Sequence, residues 1–309
     1  MRVAVVGAGA IGGWLGTRLA ASGAAEVHVV ARGEALSAIR EFGLRLEDAL
    51  DGDAEAAVHA TDDAAEVGQV DAVLFSVKAY DAETAARQHL PALVADGGVV
   101  VPLLNGVEAA DQCAAVVGAD RVAGGIAYVF AAVASPGVVR RTGGPGRVVV
   151  GEIASGTRAR LEQLVAVLRG GGVDAQVADD ARRALWDKFA FIVAVSGLTA
   201  ATRLPIGELR ESPAAWSLFR RVVEEAYAVA RASGVDVPAG AVDTVLSFAE
   251  DLPGQSRSSL YDDLAAGRRL EVDALQGAVV RIGAELGVPT PSCETLAAVL
   301  APHAAGAPH

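Results

Sequence analysis

Short apolar runs at Val3–Val6, Val27–Ala31, Val70–Val77 and Gly98–Leu103 punctuate the chain to about residue 150, separated by alanine-rich stretches of helical composition. Runs apolar at consecutive positions predict strands buried on both faces, and their alternation with helices predicts a parallel sheet. Around Val138–Glu152 two strand-like runs flank Thr142-Gly143-Gly144-Pro145-Gly146, which predicts a hairpin extending that sheet. From Asp179 onward the spacing predicts helices over Ala181–Ala201, Pro213–Ser233, Pro238–Asp251, Ser258–Ala266 and Glu271–Leu286. Their breaks fall at Gly234, Pro253-Gly254 and Gly287-Val288-Pro289. Ala301–His309 reads as a frayed tail. The fold class expected is α/β: a Rossmann-type parallel-sheet domain over 1–178, then an all-helical domain over 179–309.

Composition narrows the partners. The 309 residues carry 26 Lys and Arg against 38 Asp and Glu, a formal charge of −12, so a nucleic-acid partner is not expected. Cys113 and Cys293 are too few for a disulfide framework, and the five histidines lack ligand spacing, so no metal site is expected. Val122–Val139 is uncharged and reaches membrane-spanning length, but Gly124, Gly125, Pro136 and Gly137 interrupt it. A buried strand is the expectation there, with no membrane partner. The opening Met1-Arg2 enters an apolar run without a charged n-region or cleavage site, so no signal peptide is expected and the expected compartment is the cytoplasm.

Gly7-Ala8-Gly9-Ala10-Ile11-Gly12 follows the first strand and opens an apolar helix. In that setting the three glycines serve a tight turn, approach of the backbone to a pyrophosphate, and close helix–strand packing. The helix N-terminus offers free N–H groups to the phosphates. An NAD site places an acidic residue about 20 residues further on, to accept from the ribose 2′-hydroxyl. Here the second strand ends Ala31-Arg32-Gly33, and Arg32 suits a 2′-phosphate that a carboxylate would repel. The expected cofactor is NADP(H).

Ser76-Val77-Lys78-Ala79-Tyr80-Asp81 and Leu104-Asn105-Gly106-Val107-Glu108 each close a strand, where ligands bind in open parallel sheets. Lys78 reads equally as a solvated lysine, and Asn105-Gly106 equally as a common turn dipeptide. Lys188 stands in the apolar helix segment Trp186-Asp187-Lys188-Phe189-Ala190-Phe191, where burial is costly unless the lysine is paired or functional. Ser259 and Glu271 flank a break at Gly267; by spacing alone that stretch reads as a charged, solvated helix pair.

Taken in order, these motifs resemble the ketopantoate reductase family: the glycine fingerprint, Ser-Val-Lys-Ala-Tyr-Asp, Asn-Gly-Val, Trp-Asp-Lys-Phe, Ser-Ser-x-x-x-Asp followed by Gly-Arg-x-x-Glu, and the late Gly-Val-Pro-Thr-Pro at Gly287–Pro291. The likeness spans nearly the whole chain. It implies reduction of 2-dehydropantoate to pantoate with NADPH, on the way to pantothenate. It further implies Lys188 as general acid, Glu271 as the carboxylate working with it, and Ser259 as a contact to the substrate carboxylate. Lys78 and Asn105 would lie beside the nicotinamide and its ribose, with Asn105 also facing substrate.

The chain departs from the family on the substrate side. Asparagines usual four and eight residues after the lysine are Ile192 and Ser196, two positions otherwise assigned to substrate binding; the usual Thr-Glu is Leu270-Glu271, and the usual Asn-Gly is Gln276-Gly277. Three readings stay open at this level. The first is a 2-keto acid reductase with 2-dehydropantoate as default substrate. The second is a homologous NADPH-dependent reductase of a less polar carbonyl compound. The third is a non-catalytic NADP(H)-binding regulator. No motif decides oligomeric state, and a homodimer is kept open.

Overall fold

The computed structural model describes residues 1–307. Its packing divides the chain into two compact units, Met1–Leu104 with Glu108–Ala181, and Asn105–Val107 with Arg182–His309. Against the expected boundary at 178/179, the division falls at Ala181/Arg182, and a three-residue excursion at Asn105–Val107 joins the helical unit.

The first unit is built on β1 (Arg2–Val6), β2 (Glu26–Val30), β3 (Leu44–Asp48), β4 (Ala54–Ala56), β5 (His59–Thr61), β6 (Val70–Phe75), β7 (Val94–Pro102), β8 (Ala123–Ser135), β9 (Val138–Glu152) and β10 (Asp174–Val177). A five-stranded sheet runs β5-β2-β1-β6-β7 with every pair parallel. Along β1, Val3 and Val5 pack into one core while Ala4 and Val6 pack into the other. Both faces are therefore covered, which is why the run is apolar at every position. The order reverses beside β1, and the chain leaves β1, β2 and β6 at the same sheet edge, the place where open α/β sheets bind ligands.

A second sheet, β10-β9-β3-β4 with β8 paired to β9, corrects the expected hairpin. Val138–Glu152 is one continuous strand, and it does not extend the parallel sheet. The reversal instead lies at Pro136-Gly137, between Ser135 and Val138, where Gly137 adopts φ +74°. Thr142–Gly146 lies inside β9, where the pairing with β8 shifts register around Phe130, and Arg141 donates to Gly144 O at 2.9 Å across the irregularity. Glycines in a strand mark bulges as readily as turns. Most of Val122–Val139 is β8, a strand as expected, but it is buried only over Ala123–Ala127, and its later residues are largely exposed.

The second unit is helical: Ala181–Thr202, Ile206–Glu211, Pro213–Ala232, Ala241–Asp251, Ser259–Ala265, Gln276–Leu286 and Pro291–Leu300. Ala181–Thr202 is long and apolar enough to cross a membrane, yet 61% of its most apolar window is buried within the protein, as befits a core helix. Two expectations change here. Glu271 lies in a turn ahead of the helix Gln276–Leu286 rather than on it. The tail is held in place as far as it is described: Leu270 N donates to Ala304 O and Ala307 N to Gly267 O, both at 2.9 Å. Residues 308 and 309 lie outside the described residues.

Candidate active site

The candidate site residues singled out in the sequence fall into two groups, one in each unit. In the first unit, the turn after β1 is fixed by Gly7 N donating to Val30 O at 2.9 Å and by Ser76 Oγ donating to Gly7 O at 2.8 Å. Gly7 adopts φ +95°, and a Cβ there would stand 2.9 Å from the Ser76–Val77 backbone. At Gly12 a Cβ would collide with Gly7 O and with the Ser76 hydroxyl. Protein packing thus demands two of the three glycines. Gly9 is different: a Cβ would find only Ser76 O, at 4.0 Å. Nothing in the fold requires glycine there, and the space it leaves open is what a pyrophosphate approaching the backbone would use.

Ala8, Gly9, Ala10 and Ile11 are all partly exposed, and no side chain caps the helix Ala10–Ala21 that starts after Gly9. Its first N–H groups are available to an anion, so the residues present fit a dinucleotide. At the end of β2, Arg32 is 83% exposed and donates through Nη2 to the Asp81 carboxylate. Lys78 is exposed and leads into a short 3₁₀ turn, Ala79–Asp81, where Asp81 N donates to Lys78 O at 2.9 Å. The sequence reading had not foreseen Ser76 as the lock on Gly7, nor Asp81 as the partner of Arg32.

In the second unit, Lys188 sits about two turns inside the helix Ala181–Thr202, with its Nζ 3.1 Å from Asn105 Oδ1. An ammonium has donors only, so the amide oxygen must face it. Burial pushes Lys188 down from 10.5 to about 8, and the negative charge of Glu271 opposes that fall. Glu271 is 7% exposed, and its carbonyl accepts from Ala274 N and Leu275 N, both at 3.1 Å. Gly106 takes φ +121°, a conformation that turns the chain immediately after Asn105. Lysine, asparagine and buried glutamate therefore converge within one compact unit. A lysine lowered this far remains mostly protonated near neutrality and gives up its proton far more readily than an ordinary one.

One helical turn on from Lys188, Ile192 is partly buried against the helical core. Ser196 is only 2% exposed. Its hydroxyl accepts from Gln276 Nε2 at 3.0 Å, and the same Nε2 donates to Val193 O at 2.8 Å. Gly197 lets this happen, since a Cβ there would stand 2.9 Å from Gln276 Nε2. Ser196 thus faces Gln276 inside the protein, which corrects the expectation that it presents its hydroxyl to substrate. Relative to the family pattern, the residue at 196 is shorter and its partner at 276 longer by one methylene. Ser259 is exposed at the start of its helix, while the neighbouring Ser258 caps it, accepting from Tyr261 N at 3.1 Å and pairing with Thr199 Oγ at 2.8 Å. From sequence Ser258 is the start of a predicted helix and part of the Ser-Ser motif, with no capping role assigned to it.

The chain matches known proteins along its length. Residues 3–155 match the family model described as ketopantoate reductase PanE/ApbA, and residues 180–304 match the model of its C-terminal part. A 2-dehydropantoate 2-reductase of Halobacterium salinarum is 33% identical over 297 residues, covering 96% of this chain and 97% of the relative. The crystal structure of a PanE/ApbA family ketopantoate reductase from Ralstonia eutropha JMP134 is 38% identical, covers 98% of each chain and superposes with a TM-score of 0.88. A D-mandelate dehydrogenase solved with NADH and anilino(oxo)acetate is 26% identical, with 98% of each chain covered and a TM-score of 0.89.

Proposed function

The chain belongs to the ketopantoate reductase family of nicotinamide-dependent oxidoreductases, and from that premise we propose that it reduces a 2-keto acid to the 2-hydroxy acid with NADPH, 2-dehydropantoate being the default substrate. The observation that carries this reading is the Lys188 ammonium, desolvated to about 8 and hydrogen-bonded to Asn105 with Glu271 acting on it. When bound, the cofactor supplies the hydride. Lys188 hydrogen-bonds the keto oxygen and gives it a proton as negative charge develops there. Asn105 holds the ammonium in place, and Glu271 keeps it protonated up to a higher pH than burial alone would allow. Arg32, with its surplus of exposed donors, receives the 2′-phosphate, and Lys78 lies beside the cofactor. Ser259, exposed at a helix start, contacts the substrate carboxylate. A small-molecule enzyme of the cytoplasm fits this reading.

Ile192 favours a second version of the same chemistry. It puts a branched alkyl group one turn from Lys188, where the family pattern has an amide, and an aliphatic wall recognises a hydroxylated substrate poorly. A 2-keto acid with a less polar side chain suits it better. The D-mandelate dehydrogenase relative supports that version, since its bound anilino(oxo)acetate is a 2-oxo acid derivative carrying an aromatic ring. Retention of Lys188 and Glu271 counts against a non-catalytic regulator, which needs neither. The test is steady-state NADPH oxidation with 2-dehydropantoate beside aliphatic and aromatic 2-keto acids. Turnover on any of them, lost in Lys188→Ala, supports the reading.

A further inference from the structure

The Arg32–Asp81 ion pair bears directly on cofactor choice. Asp81 closes the 3₁₀ turn Ala79–Asp81 with its backbone tied to Lys78 O, and its side chain is 28% exposed. Arg32 is the more exposed partner, its long side chain 83% exposed. A guanidinium has five N–H donors in a planar fork, and Asp81 engages Nη2. An anion seated on the remaining donors while the pair persists would lie on the order of 5 Å from the carboxylate, where like charges repel. His89 is held below its usual value chiefly by burial, with the Asp63 charge opposing that fall and the Arg32 guanidinium adding to it.

We propose that Asp81 is a specificity-determining residue that competes with a 2′-phosphate for Arg32 and offers its own carboxylate to an unphosphorylated ribose, so that the site accepts NADH as well as NADPH. The inference rests on the reading that Arg32 receives the 2′-phosphate. Its chemistry is that of two familiar solutions placed side by side. An acidic group near the end of the second strand suits a ribose 2′-hydroxyl, and an arginine suits a 2′-phosphate. Here the carboxylate arrives from the turn after β6 instead, paired with the arginine. Removing its charge frees Arg32 and takes away the repulsion, while an unphosphorylated ribose loses its acceptor.

The test is calorimetric titration of the protein with NADPH and with NADH, without substrate, for the natural chain, Asp81→Asn and Arg32→Ala. Asp81→Asn keeps the shape and loses the charge, and Asp81→Ala repeats the test without an amide in place of the carboxylate. Expected is a natural chain that binds both cofactors, and an Asp81→Asn chain whose Kd for NADPH falls about fivefold while that for NADH does not fall. A preference for NADPH unchanged or reduced in both Asp81 variants overturns the inference and makes Asp81 a positioning residue for Arg32. A natural chain that binds NADPH alone also overturns it. If Arg32→Ala leaves the preference unchanged, the assignment of Arg32 itself fails, an outcome separate from either of these.

Discussion

Lys188 Nζ donates to Asn105 Oδ1 at 3.1 Å, although eighty-three residues separate the two in sequence. The contact explains why Asn105–Val107 leaves the sheet unit to pack with the helices. It gives the ammonium a fixed acceptor in a place where burial alone would favour the neutral amine. The proposed chemistry depends on that balance.

Lys188→Met is the most direct probe of the proton donor. Loss of a positioned general acid costs about 10²–10⁴-fold in rate, and kcat should fall in that range. Thermal unfolding should occur at no lower temperature, because the substitution removes a desolvated charge and keeps the aliphatic stem. A variant that fails to fold would mark the lysine as structural instead.

The pH profile follows from the same group. Lys188 acts as an acid only when protonated, so kcat/KM for reduction should be level below about 8 and fall above it. In Glu271→Gln the charge that supports the ammonium is gone, and the falling limb should move to lower pH. For stability the sign is the reverse of the usual lysine case. The unfolded chain holds this proton up to 10.5 while the folded chain releases it near 8, so this group's contribution to stability rises with pH across that window.

The glycines of the first turn should separate by role. Gly9→Ala meets only Ser76 O at 4.0 Å, so thermal stability should hold while affinity for the cofactor falls. Gly12→Ala collides with Gly7 O and Ser76 Oγ and should cost about 1–3 kcal/mol of stability. Equal losses of stability in both variants would contradict the assignment of Gly9 to the pyrophosphate.

Ser196 and Gln276 should behave as one unit. Gln276→Asn withdraws the donor by a methylene and leaves buried polar groups unmatched, at about 1–3 kcal/mol. Ser196→Asn overfills the same space, at a similar cost. The double variant should recover at least about 1 kcal/mol relative to the sum, as denaturant unfolding of the four chains would show. Strict additivity would mean that the two side chains are independent. The substrate test then belongs to Ile192→Asn alone, which should raise turnover of 2-dehydropantoate relative to less polar keto acids.

How much of this was readable beforehand depended on the range of the interactions. Val3–Val6 and Gly7–Gly12 declare strand, turn and helix from neighbouring residues, and the structure agrees with them. β3 was missed because Leu-Arg-Leu-Glu-Asp is short and charged, and only its pairing with β9 and β4 makes it a strand. Thr142–Gly146 was misread because glycine in a bulge and glycine in a turn look alike until the partner strand is known. On the substrate side, a serine where the family pattern has an asparagine reads from sequence as a substrate contact. Only the position of Gln276, eighty residues away, shows the exchange to be internal. Lys188 and Asn105 were each legible, the first as a lone lysine in an apolar helix and the second at a strand end; their hydrogen bond was not, since no local pattern links them.

The central claim is that this chain reduces a 2-keto acid with NADPH through Lys188. Its most direct test is NADPH oxidation against 2-dehydropantoate and a panel of less polar 2-keto acids, with NADPH binding measured alongside. The account expects turnover on at least one of them, lost in Lys188→Ala while the Kd for NADPH stays the same. A natural chain that binds NADPH yet turns over none of these acids, or a Lys188→Ala chain that keeps its rate, would contradict it.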